Sequence, residues 1–267
     1  METAVNNKKG SIIMSVINIV LFLGMVTVNG LANGLPLNGI NTGELSALYP
    51  NLFVPAGITF SIWALIYLLL LLFVANNLYL SLTGKEEVLI PVKAQIAFAL
   101  TCLFNAGWIF LWHYKLIFFS LLAMLALLVS LIYLFLRIDE MHIKNIWNRI
   151  AVQLPVSIYL GWISVATIAN VTALLVSLNW GGWGISENVW TIIMMVAGLI
   201  LAILMLANRK CIAYSLVFIW AYTGIIIKRG GQEIIHKDIV FTAYAAIVIL
   251  LILVISTVLK YRKEAVK

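Results

Sequence analysis

The chain has 267 residues, 64% of them hydrophobic and only 10% charged, with a formal net charge of +7. A soluble domain usually carries about 25% charged residues, so this composition excludes an ordinary water-soluble globule. Lipid is the solvent for much of it, and there each backbone N–H and C=O must be paired internally, which makes long apolar runs helices.

Apolar runs fall at about 11–30, 53–80, 92–112, 116–136, 150–178, 188–207, 211–227 and 239–259. Most have the ~20 residues that a tilted helix needs to span a bilayer. The first follows Lys8 and Lys9 and has the outline of a signal peptide. It is longer than a usual h-region and contains Asn18, so it is read as a retained helix. Asn29-Gly30, Asn33-Gly34 and Asn38-Gly39 then mark a turn-rich stretch reaching Pro50, the longest outer connection. Either a plain loop or a lid over a cavity fits it. Further on, His113, Tyr114 and Lys115 separate the third and fourth runs, and Arg209 with Lys210 separates the sixth and seventh. Merging either pair would give a helix too long for a bilayer, so each is a hairpin. Asn170 and Thr172 match a glycosylation sequon but lie inside a span, where glycosylation does not reach.

The basic residues orient these runs and form no patch for nucleic acid. With a cytoplasmic N-terminus, that side receives Lys8, Lys9, Lys85, Lys93, Arg137, Lys144, Arg149, Arg209, Lys210, Lys260, Arg262, Lys263 and Lys267. The other side receives Lys115, Lys228, Arg229 and Lys237, a bias of thirteen to four. Three of those four crowd into the last outer connection, which leaves a count of seven spans open beside eight.

No Asp, Glu, Lys, Arg or His lies mid-span, which argues against the charged relays of ion-coupled pumps. Cys102 and Cys211 lack metal-ligand spacing, and His113, His142 and His236 fall in connections. No nucleotide loop and no Ser/His/Asp set occurs. No catalytic residue, metal ligand or cofactor is therefore expected.

Aromatic residues fill the place of charges. Trp112, Trp147, Trp180, Trp183 and Trp190 lie at helix ends, as an aromatic belt requires. Trp63, Trp162 and Trp220 do not. Counted from the starts of their runs, Trp63 and Trp162 lie about 15–18 Å along, where an indole N–H needs a partner. Pro55, Thr59, Trp63 and Tyr67 recur every fourth residue. Thr101, Asn105, Trp108 and Trp112 share one face of the third helix, and Pro155, Tyr159, Trp162, Ala166 and Asn170 one face of the fifth. Such stripes serve either as hydrogen-bonding glue between helices or as a flat apolar cavity with polar anchors.

Those stripes resemble the TspO/MBR family (translocator protein, or tryptophan-rich sensory protein). Its second-helix pattern, Pro then Trp eight on and Tyr four further, is matched by Pro55, Trp63 and Tyr67. Phe104, Asn105 and Trp108 match a Phe-Asn-x-x-Trp motif, and Tyr159, Trp162, Ala166, Thr167 and Asn170 are similar to the fifth-helix motif. The departures are Val54 in place of the first proline of a pair, absent loop tryptophans, and a proline shifted to Pro155.

The resemblance covers residues 11–178. It implies a five-helix bundle with a pocket beneath the first outer loop. Together with the eight apolar runs, the chain is read as an all-α integral membrane protein of eight transmembrane helices: a TspO-like five-helix bundle over 1–180, then three more helices, without counterpart in that five-helix family, and a basic tail over 181–267. The implied function is a membrane receptor or carrier. A flat hydrophobic ligand (tetrapyrrole such as porphyrin, isoprenoid or sterol-like) would sit between helices two, three and five, against Trp63, Tyr67, Asn105, Trp108, Tyr159, Trp162 and Asn170. A non-catalytic scaffold is the alternative, and tetrapyrrole breakdown at Trp63 and Trp162 a further one. Expected partners are that ligand, the lipid bilayer and a second copy in a homodimer. The expected location is the cell membrane, with both termini cytoplasmic.

Overall fold

The computed structural model describes residues 2–35, 37–84, 90–232 and 236–265; Lys85 and Lys267 of the charge count lie outside them. All described elements are helical. They are α1 (Glu2–Gly34), α2 (Thr42–Ala47), α3 (Ile62–Thr83), α4 (Val92–His113), α5 (Ile117–Asp139), α6 (Ile146–Asn148), α7 (Leu154–Ser177), α8 (Glu187–Arg209), α9 (Ile212–Gly230) and α10 (Lys237–Ala265). Eight stretches are long and apolar enough to cross a bilayer, α6 and α7 forming one of them with the turn between. Two compact units result: Met1–Leu45 with Ile62–Ile163, and Ser46–Ser61 with Ser164–Lys267.

In the first unit α4 packs on α5 and on α1, and α1 on α3. The interface stripe of α5 runs Ile117, Ser120, Met124, Leu127, Leu131, Leu134, Ile138, a three-four repeat that keeps one face inward. The buried stripe of α1 is more polar: Ser11, Ser15, Asn18, Phe22, Met25 and Asn29. Its lower end joins a hydroxyl–amide cluster, in which Ser15 and Ser11 each lie 2.9 Å from Ser81 Oγ and the Asn77 amide donates to Ser15 at 3.1 Å. Uncharged groups of this kind hold membrane helices together without an ion's desolvation cost. Tight turns make the hairpins: Lys115 (φ 59°) follows α4, and Lys210 closes α8 in a left-handed conformation at φ 53°.

The fifth span has a widened turn at Arg149–Gln153, where the Leu154 N–H reaches back to the Arg149 carbonyl. Pro155 explains it. A proline ring inside a helix removes one N–H and crowds the carbonyl four residues back, and a π turn relieves both.

In the second unit α9 and α10 pack together and both pack on α8. Small residues allow the approach. A Cβ on Gly198 of α8 would stand 2.9 Å from the Phe218 ring and from the Tyr222 hydroxyl on α9. Tyr222 then donates to the Met195 carbonyl at 2.7 Å, and Ser215 to Ala202 at 3.1 Å. Ile193, Val196, Ile200 and Leu204, on the other side of α8, are exposed, as lipid-facing residues should be.

Three expectations are corrected. The first helix does not stop near residue 30. It runs to Gly34, and Asn29 and Asn33 stay helical because each amide donates to the carbonyl four residues back, at 2.9 and 3.0 Å. The second helix does not begin at Phe53. Asn51 Oδ1 accepts the N–H groups of Phe53 and Val54, Pro55 follows, a 3₁₀ turn spans Gly57–Ser61, and α3 starts only at Ile62. Trp63 therefore lies in the first turn of α3 and not at mid-span, and Pro55 and Thr59 are not on its helical face. Finally, Trp112 is 5% exposed and stacks on Trp108, 6.1 Å between ring centroids, so it faces protein and not the headgroups.

Candidate functional site

The first unit gathers six of the seven residues singled out by sequence. Trp63 and Tyr67 are one turn apart on α3 and stack at 5.5 Å with planes 21° apart. Trp63 also meets Tyr159 at 6.1 Å and Trp162 at 6.3 Å, both edge-on and both from α7. Offset and edge-to-face pairs at these separations are the favoured arrangements of aromatic rings. The pattern follows from helix spacing: 63 to 67 and 159 to 162 are one-turn steps, so each helix presents a pair of rings on one face.

Polar groups thread this cluster. Asn29 donates to Asn105 Oδ1 at 2.7 Å, and the Asn105 amide donates in turn to the Tyr159 hydroxyl at 2.9 Å. Three helices are tied by one chain of bonds, and all three residues are buried. Two buried donors stay outside it. The Tyr67 hydroxyl and the Trp108 indole N–H have no hydrogen-bond partner among the described residues. Trp63 itself is half-buried, so part of its ring is open.

Asn29 is the site residue that sequence reasoning missed. It was read as part of a turn, yet its spacing of four from Met25 and seven from Phe22 sets it on the buried stripe of α1. Asn170 is buried on α7 but belongs to the second unit, eight residues beyond Trp162, about two turns. His113 was read as a connection residue. It is the fully buried last residue of α4, bonded through its ring to Thr42 Oγ1 at 3.0 Å and to the Leu37 carbonyl at 3.1 Å. Asn38 donates back to the His113 carbonyl at 3.1 Å. The first part of the long connection is therefore tied to the top of α4.

The arrangement has the sequence order, the helices and the aromatic faces of the family resemblance, and a family model described as TSPO-like protein matches residues 15–256. The chain belongs to the TSPO-like family. No curated protein and no solved structure matches the chain. The TSPO-like match passes beyond the five helices that carried the resemblance. It continues through α8 and α9 and reaches into α10, so those helices lie inside the family's own span. Membership establishes a multi-pass helical membrane protein of the TspO type.

In the second unit Trp220, expected to need a partner at mid-span, has one. It is the ninth residue of α9, and its indole N–H donates to the Thr59 carbonyl at 2.9 Å.

Proposed function

We propose that this TSPO-like protein is a receptor or carrier for a flat hydrophobic ligand of tetrapyrrole, isoprenoid or sterol-like class. The ligand would lie on the cluster of Trp63, Tyr67, Asn105, Trp108, Tyr159 and Trp162. One observation carries the reading: the buried Tyr67 hydroxyl, without an acceptor among the described residues, belongs to a ring stacked on the half-open indole of Trp63, and Trp108 Nε1 of the same unit is a second buried donor without one. A buried donor left unbonded costs about 1–3 kcal/mol, which a ligand acceptor would offset. A purely packing role accounts for the Asn29–Asn105–Tyr159 chain but gives those two donors no use. The cell membrane, with both termini cytoplasmic, is the proposed location.

Protoporphyrin IX titrated into protein held in lipid nanodiscs tests this through quenching of tryptophan fluorescence. The Trp63→Phe/Trp162→Phe double variant should lose most of the saturable component. Tyr67→Phe should weaken binding by roughly three- to tenfold, the worth of one hydrogen bond. It should leave thermal stability unchanged or raised, since it removes an unbonded hydroxyl. Saturable quenching that survives the double variant intact would eliminate the cluster as the site and leave the scaffold reading.

A further inference from the structure

The second unit contains a cavity of about 530 Å³ where α7 ends and α8 begins. That volume is within the ~300–1,000 Å³ of small-molecule sites. The Pro50–Phe53 segment closes one side, Trp180 and Trp190 another, and Leu175 and Met194 reach in from the spans.

These walls are preformed. Asn51 braces its own segment by accepting two N–H groups through Oδ1, and Arg229 donates to the carbonyls of Asn51 at 2.7 Å and Leu52 at 3.0 Å. The Trp190 indole N–H is bonded to the Gly182 carbonyl at 2.9 Å. Its ring lies 5.1 Å from that of Trp180, and Trp183 packs on both at 5.3 and 5.9 Å. A site with fixed walls loses little ordering entropy when a ligand arrives.

The charge of the lining is one-sided. Among the described residues Glu187 is its sole ionisable side chain, and it makes no ion pair there. Arg229 is near enough to sense that charge, but its guanidinium is committed to backbone carbonyls and does not line the cavity. A carboxylate in the first turn also favours the start of α8, as does the Ser186 cap. That local role does not require a cavity lined by two indoles. Indole faces and a carboxylate attract the same thing, a positive charge on an apolar body.

We propose that this cavity binds an amphipathic cation, with its apolar body against Trp180, Trp190 and Phe53 and its ammonium group at Glu187. Dansylcadaverine is the probe, because its dansyl group accepts energy from nearby tryptophans and its amine is protonated at neutral pH. Protein in non-ionic maltoside micelles, which carry no ammonium group, should show saturable energy transfer to it. N-acetylated dansylcadaverine, which is uncharged, should bind more weakly by roughly three- to tenfold, the scale of a partly exposed charge pair joined to a cation–π contact. Glu187→Gln should abolish the difference between the two probes, and Leu175→Trp, which fills the cavity, should weaken both. Adding phosphatidylethanolamine distinguishes a lipid headgroup from a free amine as the natural source: competition points to the lipid, no competition to a soluble amphiphile. Equal affinity for charged and uncharged probes, or no response to Leu175→Trp with the fold intact by circular dichroism, would overturn the proposal. No residue of the aromatic cluster in the first unit lines this cavity, so the two readings stand or fall separately.

Discussion

At the scale of single residues, two positions in the second unit have roles out of proportion to their size. Gly224 lies where α9 meets the segment before α3: the Ala56 N–H donates to the Gly224 carbonyl at 3.0 Å. A Cβ there would run into the Thr59 side chain and stand 2.9 Å from Pro55 Cβ. Neither neighbour is the loose end of a flexible chain, so Gly224→Ala should lower stability by about 1–3 kcal/mol, the usual cost of overpacking. Thermal unfolding in detergent, compared with Gly107→Ala, where the added carbon meets nothing within 4 Å, isolates that effect. Arg229 is a buried cation without a carboxylate partner among the described residues, bonded to the Asn51 and Leu52 carbonyls and to Gln232. Its fork matches several acceptors at once, which a lysine cannot do. Arg229→Met should cost about 2–3 kcal/mol, because the carbonyls keep their burial and lose their donor. Arg229→Lys should recover only part of that in the same melt.

At the scale of elements, the chain of bonds from α1 through α4 to α7 makes a quantitative test of how polar groups join membrane helices. In a double-mutant cycle of Asn29→Val and Asn105→Val, the coupling should be near the ~0.6 kcal/mol typical of interhelical bonds in lipid and below about 2 kcal/mol. A coupling indistinguishable from zero would mean that the 2.7 Å contact contributes nothing net. The elements also show what a sequence can and cannot disclose. Apolar length is a property of a contiguous run, so eight spans and both tight hairpins were readable directly. The one-turn repeats of Asn105 with Trp108 and of Tyr159 with Trp162 were readable for a similar reason, since helical period is local. The start of α3 was not. It depends on Asn51 capping its own segment and on Pro55 breaking the helix inside an unbroken apolar run, and hydropathy registers neither. Asn29 was hidden because its partner is 76 residues away while its neighbour Gly30 suggests a turn. Trp180 and Trp190 look like ordinary belt residues until the fold sets a carboxylate and a wall beside them.

At the scale of the whole molecule, the open question is the path of the chain through the bilayer, and the cations answer it unevenly. Thirteen against four favours cytoplasmic termini and eight crossings, yet that orientation would set Lys228, Arg229 and Lys237 together on the side that should be poor in positive charge. The second unit supplies a reason for that exception. Arg229 is needed where it is, as the donor that holds the Asn51–Leu52 carbonyls, and a short connection must follow α9 before α10 begins. A structural requirement can outweigh one charged connection while the remaining connections still set the orientation. Single cysteines in a background lacking Cys102 and Cys211 decide the matter. Lys144→Cys, between the fourth and fifth spans, should resist a membrane-impermeant maleimide in intact cells and react in inverted vesicles. Gly181→Cys, between the fifth and sixth, should do the reverse. Lys260→Cys is the discriminating site, because eight crossings set the C-terminal tail on the same side as the N-terminus, whereas seven place it opposite. Labelling of Gly230→Cys from outside, with Lys260→Cys protected, establishes eight crossings in spite of the three cations. If Lys260→Cys is labelled from outside, the final two helices do not both cross and the assignment of the last connection is wrong.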